Sequence, residues 1–437
     1  MLNGTQRINE LGHLEVGGCD CVDLAREFGT PLYVLDEELV RENCRQYRYH
    51  FVERLGGRAE VCYAGKALLT TAICRIIEQE GLGLDVASAG ELYTALKADF
   101  PVSRVKMHGN FKSDLELEMA VDAGVGRIVI DSLSEIKRLD DVCQRLGKTA
   151  DVLIRVTPGI KVQTHDYIAT GHLDSKFGLG IASGMADEGV RRVLEARNLV
   201  LHGIHCHIGS QVFGLDSFAR ATELMIDFAA HVRDRYGIEL PELDMGGGLG
   251  IAYTSEDAPP TIEELSEVIV SALLRAVAHY DLNVPKLIVE PGRSIVGPAG
   301  LTLYTVGPIK EIPGTRTYVA VDGGLSDNPR PALYGAVYHA VVANKADRPA
   351  TMAVRVSGKH CETDTLLPEV TLQPVEEGDI LAVFCTGAYN YSMSSNYNRF
   401  PRPAMVLVRD GQADVIVERE TLDDLLRQDR MPPRLAK

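Results

Sequence analysis

Between residues 60 and 293, short apolar runs alternate with segments whose apolar residues recur every three or four positions. The runs are RAEVCYAGK, GLDVAS, RVKMHGN, RIVIDS, DVLIRVTPG, VLHGIHCHIGS, ELDMGGGLG and KLIVEPGR, eight candidate strands. Helical patterns such as ALLTTAICRIIEQEG, SLSEIKRLDDVCQRLG and TIEELSEVIVSALLRAVAHY lie between them. Strands of near-continuous hydrophobicity separated by amphipathic helices are parallel strands covered on both faces, joined by right-handed crossovers. Eight such units point to a TIM (β/α)8 barrel. An open doubly wound sheet is the other arrangement that the same periodicity fits.

After residue 300 the texture changes. TRTYVAVDGG, TMAVRVSG, DILAVFCTGAY, AMVLVRDG and ADVIVE are β-rich runs separated by turns. The expected organisation is a barrel over residues 33–300, then an antiparallel β-barrel or sandwich over 301–437, with the strand-like first 32 residues packing on the latter. One segment departs from this pattern: AYNYSMSSNYNRFPRPA, residues 388–404, is polar, aromatic and non-periodic. Loops of that length usually carry function or are disordered.

The formal charge of −16 argues against nucleic acid or an anionic membrane as the main partner, since both are bound through basic surfaces. A small molecule is the better expectation. The N-terminus has no apolar core flanked by basic residues, and no run reaches the roughly twenty apolar residues of a membrane span. Nine cysteines is an odd count, and Cys44, Cys62, Cys74, Cys143, Cys206 and Cys385 sit in apolar periodic segments. Reduced thiols of a cytoplasmic protein are therefore expected. The Cys19–Cys21 pair has no second pair nearby to complete a metal site.

A TIM barrel gathers its chemistry at the C-terminal ends of its strands. Here these ends carry Lys66, then Asp85 and Ser88, His108, Arg155, His207 and Ser210, the triplet Gly246, Gly247 and Gly248, and finally Glu290, Gly292 and Arg293. The glycines allow backbone N–H groups to approach a phosphate that side chains would block, and they follow the seventh strand, where this fold commonly binds phosphate. A lysine, a phosphate cradle and an acidic partner are the requirements of pyridoxal 5'-phosphate. Lys66, which follows a buried strand directly, is expected in an apolar setting, as an imine nitrogen rather than a buried ammonium. His202, His205, Cys206 and His207 suggest zinc, but strand alternation sends Cys206 to the face opposite His205 and His207, so no metal is expected. Asp85 reads as a hydrogen-bond acceptor behind the site rather than a catalytic acid.

The motifs YAGKA (63–67), TGHLDSKFG (170–178), HIGSQ (207–211), GGGLGI (246–251), EPGR (290–293), RPALYGAVYH (330–339), CETD (361–364) and GAYNYSMSSNYN (387–398) occur in order along the chain. Together they resemble the fold-type III pyridoxal-phosphate decarboxylases, in particular the branch acting on meso-diaminopimelate. The resemblance implies a TIM barrel followed by a β domain, and a PLP-dependent carboxy-lyase that converts meso-2,6-diaminopimelate to L-lysine and CO2. It implies that Lys66 carries the cofactor, that His207 stacks on its ring and that Glu290 pairs with its pyridine nitrogen. Asp85, Ser210, Gly247, Gly248, Gly292, Arg293 and Tyr389 would complete the cofactor site, with Arg155 near the phenolate oxygen. Cys361 resembles the general acid, and Glu362 the group that takes the substrate's distal ammonium. Arg293, Arg330 and Tyr334, with Tyr389, resemble the residues gripping the distal carboxylate. In the family the Cys-Glu pair enters from a neighbouring subunit, which implies a homodimer. The stretch before it, VSGKHCETD, lacks the Gly-Pro pair that the family usually places closer to the cysteine. A decarboxylase of ornithine, lysine or arginine is the alternative, and the arginine pair argues against it because those substrates have no distal carboxylate.

Overall fold

The computed structural model describes residues 2–160 and 175–436, so residues 170–174 of the TGHLDSKFG motif, and any lid formed by it, lie outside the described residues. The chain divides into two compact units, Arg41–Ala252 with Asp257–Ile295, and Met1–Val40 with Tyr253–Glu256 and Val296–Lys437.

The first unit is a closed barrel of parallel strands: Ala59–Ala64, Gly83–Val86, Val105–Met107, Arg127–Ile130, Ala150–Thr157, Leu199–His205, Glu242–Asp244 and Lys286–Val289. Closure is explicit in the register, because Leu287, Ile288 and Val289 of the eighth strand pair with Ala59, Glu60 and Val61 of the first. The open doubly wound alternative is thereby removed. Val61, Leu84, Val105, Ile128, Leu153, Ile154, Ile204, Leu243 and Leu287 are all buried, as strands covered on both faces require. Each such side chain contributes about 1.5–3 kcal/mol relative to exposure.

Five of the crossover helices start where the sequence places a hydroxyl. Thr70, Ser88, Ser113, Ser132 and Thr261 each accept a hydrogen bond from the backbone N–H three residues on, and Ser113 and Thr261 form full capping boxes with Glu116 and Glu264. These caps fix where each βα loop ends, and hence how the strand-end residues are presented. Several helices stop at a glycine in left-handed conformation, as at Gly124, Gly147 and Gly237.

The second unit carries a large sheet with strand order Thr365–Leu372, Met352–Ser357, Arg316–Val321, Gly300–Ile312, Leu32–Asp36, Ala404–Arg409, Gln412–Val417, while Ile380–Phe384 pairs with both Gly300–Ile312 and Ala340–Val342. Most pairings are antiparallel, as the turn-separated runs lead one to expect. Two are parallel: Arg316–Val321 with Met352–Ser357, and Leu32–Asp36 with Ala404–Arg409. In both cases the partners are distant in sequence, so no hairpin dictates their direction. The sheet is therefore mixed rather than purely antiparallel. A three-stranded sheet, Arg7–Ile8, Leu14–Val16 and Cys19–Asp20, belongs to the same unit.

Candidate active site

The barrel rim assembles around Glu290, which follows the eighth strand and is buried. His205, the last residue of the sixth strand, places Nε2 3.1 Å from Glu290 Oε2. His108, just past the third strand, places Nε2 3.0 Å from Oε1. Burial alone would raise the Glu290 pKa, but the two imidazoles overcome it and hold the carboxyl well below the usual carboxylate range. The reciprocal effects differ between the histidines. For His108, burial is outweighed by Glu290 and Asp85, and its pKa rises to about 9. For His205, burial prevails and the pKa falls to about 4. Glu290 is thus an anion with a charged imidazole beside one oxygen and a neutral imidazole hydrogen-bonded to the other.

Two more carboxyl groups lie in the same electrostatic neighbourhood and move the other way. Asp85 is raised to about 6 by burial and by Glu290, and His108 Nε2 stands 3.7 Å from its Oδ1. Asp244, wholly buried, is raised well above the carboxylate range by burial and by Glu290, while its Oδ1 accepts the Gly246 N–H at 2.9 Å. When buried carboxyls crowd, one takes the charge and the others resist it. Glu290 takes it because the histidines face it. Further into the barrel, buried Lys106 contacts Glu60 Oε1 at 2.9 Å and Cys62 Sγ at 2.7 Å.

The glycine triplet makes a surface that no side chain could share. A Cβ on Gly247 would stand 2.1 Å from the Glu290 carbonyl oxygen, and one on Gly248, at φ +129°, 2.5 Å from the Gly209 carbonyl oxygen. Arg293, buried, donates through Nη2 to Ser210 Oγ at 2.9 Å, so the groups after the sixth and eighth strands meet beside that surface. A Cβ on Gly246 would fall 3.1 Å from His207 Nδ1, so this glycine leaves room for the His207 ring. Burial, Lys66 and Arg155 push His207 well below the usual histidine pKa, leaving a neutral ring face. Arg155 lies over the Phe177 ring at 4.4 Å and approaches Asp131 at 3.7 Å.

Lys66 corrects the sequence expectation. The strand is buried through Ala64, and Gly65 and Ala67 are buried, but Lys66 itself is exposed in the 3-10 turn Gly65–Ala67. A turn at the strand's end carries this side chain out of the apolar run that precedes it, so burial of the strand does not extend to the Lys66 amine. The histidines of the sixth strand part company. His202 lies within the sixth strand, bonded to Asp151 at 2.9 Å, whereas His205 joins His108 and Glu290. The residues that sequence reading missed are His108 and His205 as partners of Glu290, and Lys106 and Asp244 behind them. The signal for the first two was present in the strand-end rule, since both terminate inward-facing runs.

These groups fit pyridoxal 5'-phosphate: a reachable amine at Lys66, a buried carboxylate kept anionic for a ring nitrogen, a neutral imidazole face, and a side-chain-free backbone surface with Arg293 and Ser210 for a phosphate.

The remaining candidates belong to the β unit. Arg330 opens the short helix Arg330–Tyr334 and is buried rather than lying at the surface between its prolines. It donates to the Tyr338 hydroxyl at 2.6 Å and lies over the Tyr253 ring at 4.8 Å. Tyr334 ends the same helix, half-buried. Tyr389 has φ +60°, an uncommon conformation for an aromatic residue. Cys361 and Glu362 are exposed on the turn that precedes strand Thr365–Leu372, and the other eight cysteines are buried.

Residues 37–297 match the family described as pyridoxal-dependent decarboxylase, pyridoxal binding domain. Over 429 residues the chain is 48% identical to a diaminopimelate decarboxylase of Bacillus subtilis, covering 98% of each protein. It is 45% identical over 428 residues to that of Mycobacterium tuberculosis, covering 96% of this chain and 95% of the other. Among solved structures, the diaminopimelate decarboxylase of M. jannaschii in complex with L-lysine matches with a TM-score of 0.93, 37% identity and full coverage of both chains.

Proposed function

The chain belongs to the pyridoxal-dependent decarboxylases, and from that premise we propose that it decarboxylates meso-diaminopimelate to L-lysine and CO2. The observation that carries the cofactor half of this reading is the clamped Glu290: a buried carboxylate held anionic by His108 and His205 at the mouth of a barrel. Bound pyridoxal phosphate supplies a protonated pyridine that accepts the electron pair left when CO2 departs. Glu290 keeps that nitrogen protonated, because an anion beside it raises the cost of losing the proton. Lys66, exposed at the rim, would hold the cofactor through its amine. Ser210, Gly247, Gly248, Gly292, Arg293 and Tyr389 hold the phosphate; Arg155 and Asp85 complete the cofactor's surroundings.

Substrate selection falls to residues that read both ends of a long diamino diacid. Arg330 and Tyr334, with Arg293 and Tyr389, bind the distal carboxylate, for which a forked guanidinium is suited. Glu362 binds the distal ammonium. Gripping the far end would fix the orientation of the substrate's reacting end, which is a positioning task. Cys361 then delivers the proton to the carbon that lost CO2, and its exposure distinguishes it from the eight buried thiols. The enzyme acts in the cytoplasm as a homodimer in which each site draws on both subunits. Its nine free cysteines support a reducing compartment.

Purified enzyme loaded with pyridoxal phosphate should release CO2 from meso-diaminopimelate and not from lysine, ornithine or arginine. Release from lysine alone would overturn the substrate reading. Mixing Lys66→Ala with Cys361→Ala subunits should restore part of the activity; no recovery in verified mixed dimers would mean that each subunit is self-sufficient.

A further inference from the structure

Cys361 and Glu362 stand on an exposed turn, yet both are held by one short neighbouring segment. The Cys361 backbone N–H donates to Asn398 Oδ1 at 3.0 Å, and the Tyr397 hydroxyl donates to Glu362 Oε1. Both partners come from the SNYN end of the long polar, aromatic loop. Asn398 has φ 52° and ψ 22°, and Arg399 follows at φ 59°. Two consecutive non-glycine residues in the left-handed region persist only where the surroundings fix them. Here Arg399 donates to the Leu425 carbonyl at 2.8 Å and pairs with Asp429, and Asn396 Nδ2 donates to Glu420 Oε2 at 2.6 Å.

The turn is fixed from its other side as well. His360, whose side chain is fully buried, stacks on Tyr397 with ring centroids 6.0 Å apart and planes at 13°, and Phe400 meets it edge-on at 5.0 Å. Its Nδ1 donates to Asp364 Oδ2 at 2.6 Å while Nε2 accepts the Ser326 N–H at 3.3 Å, which assigns the ring hydrogen to Nδ1. Asp364 Oδ1 also accepts the Leu325 N–H at 2.8 Å. The residue that stands directly before the cysteine in VSGKHCETD is therefore the platform on which the Tyr397 ring rests.

We propose that Tyr397 and Asn398 are positioning residues for the Cys361–Glu362 pair, with the left-handed turn at Asn398 and the His360 stack aiming their polar ends. The proposal rests on the roles proposed for Cys361 and Glu362. Tyr397 engages one oxygen of the Glu362 carboxylate and so presents the other to the substrate's distal ammonium; Tyr397 thereby tunes substrate binding. Asn398 fixes the backbone of Cys361 and so the path of its thiol; Asn398 thereby tunes proton delivery.

The test uses two variants of the holoenzyme. Tyr397→Phe keeps the stack on His360 and removes only the hydroxyl. Asn398→Gly keeps a backbone that adopts φ near +52° and removes only the acceptor. Steady-state kinetics with meso-diaminopimelate are measured beside the rate at which iodoacetamide alkylates Cys361, the one exposed cysteine, read by mass spectrometry. Tyr397→Phe should raise KM roughly tenfold, the loss expected for one hydrogen bond to a charged group, with kcat close to wild type. Asn398→Gly should lower kcat and change the alkylation rate severalfold, with the cofactor's visible absorbance unaltered. Wild-type KM, kcat and alkylation rate in both variants would overturn the proposal. So would loss of cofactor absorbance in both, which would make the segment a general structural support. Alkylation needs no turnover. Altered labelling in Asn398→Gly, together with full activity in Cys361→Ala and Glu362→Gln, would uphold the clamp and overturn the roles of Cys361 and Glu362 instead.

Discussion

The barrel and the β unit present their reactive groups in opposite ways. In the barrel, Glu290, His108, His205, Asp85 and Asp244 are largely withdrawn from solvent, and their protonation states are set by one another. In the β unit, Cys361 and Glu362 are exposed on a turn, and what is fixed about them is placement, through Asn398 and Tyr397. The contrast suits the two tasks. A cofactor ring needs a permanent charge partner, which low dielectric and paired imidazoles provide. In the roles proposed for them, proton donor and substrate-reading carboxylate, Cys361 and Glu362 need access, and hydrogen bonds rather than burial hold them on the exposed turn.

The contrast can be broken most severely at Lys66. Lys66→Ala should abolish both turnover and the visible absorbance of bound cofactor, and retained absorbance after gel filtration would show that the covalent link lies elsewhere. Next comes Glu290→Gln, which keeps the shape and removes the charge. Turnover should fall by roughly 10²–10³, the scale for losing one preorganised electrostatic partner. Because Glu290 is also what raises His108, the same variant should bring the His108 titration, followed by NMR, down from about 9.

Much of the barrel side of this comparison was legible in the sequence, and the reason is geometric. A parallel strand buried on both faces writes itself as an apolar run, and the fold then dictates that whatever follows the run stands at the rim. Glu290, His207, Ser210 and the glycine triplet could be named on that basis. The Glu290 clamp could not, because His108 and His205 reach it from strands that neighbour it only in the closed barrel. Lys66 was misjudged because an apolar run predicts burial of the strand, not of a residue one turn beyond it. In the β unit less was legible. The two parallel pairings join strands far apart in the chain, and the grip of Tyr397 and Asn398 on Glu362 and Cys361 depends on left-handed backbone that no periodicity announces.

A gentler probe is pH. His108 titrates at about 9 in the folded chain against about 6.5 in an unfolded one. A pKa raised by folding contributes stability that is complete below about pH 6.5 and is lost as pH rises towards 9. Wild type should therefore lose more stability to urea between pH 6.5 and 9 than His108→Gln does, by up to a few kcal/mol. Equal pH dependence in the two proteins would mean that His108 does not carry the charge. The smallest effect is expected at a helix start. Ser113→Ala removes a capping box and should cost about 1 kcal/mol of stability while leaving turnover unchanged.

The division of labour itself is tested most directly by Cys361→Ala, assayed at once for cofactor absorbance and for CO2 release from meso-diaminopimelate. Absorbance should equal wild type while turnover falls by roughly 10²–10⁴, the range for loss of a general acid. Loss of both signals, or retention of full turnover, would contradict it.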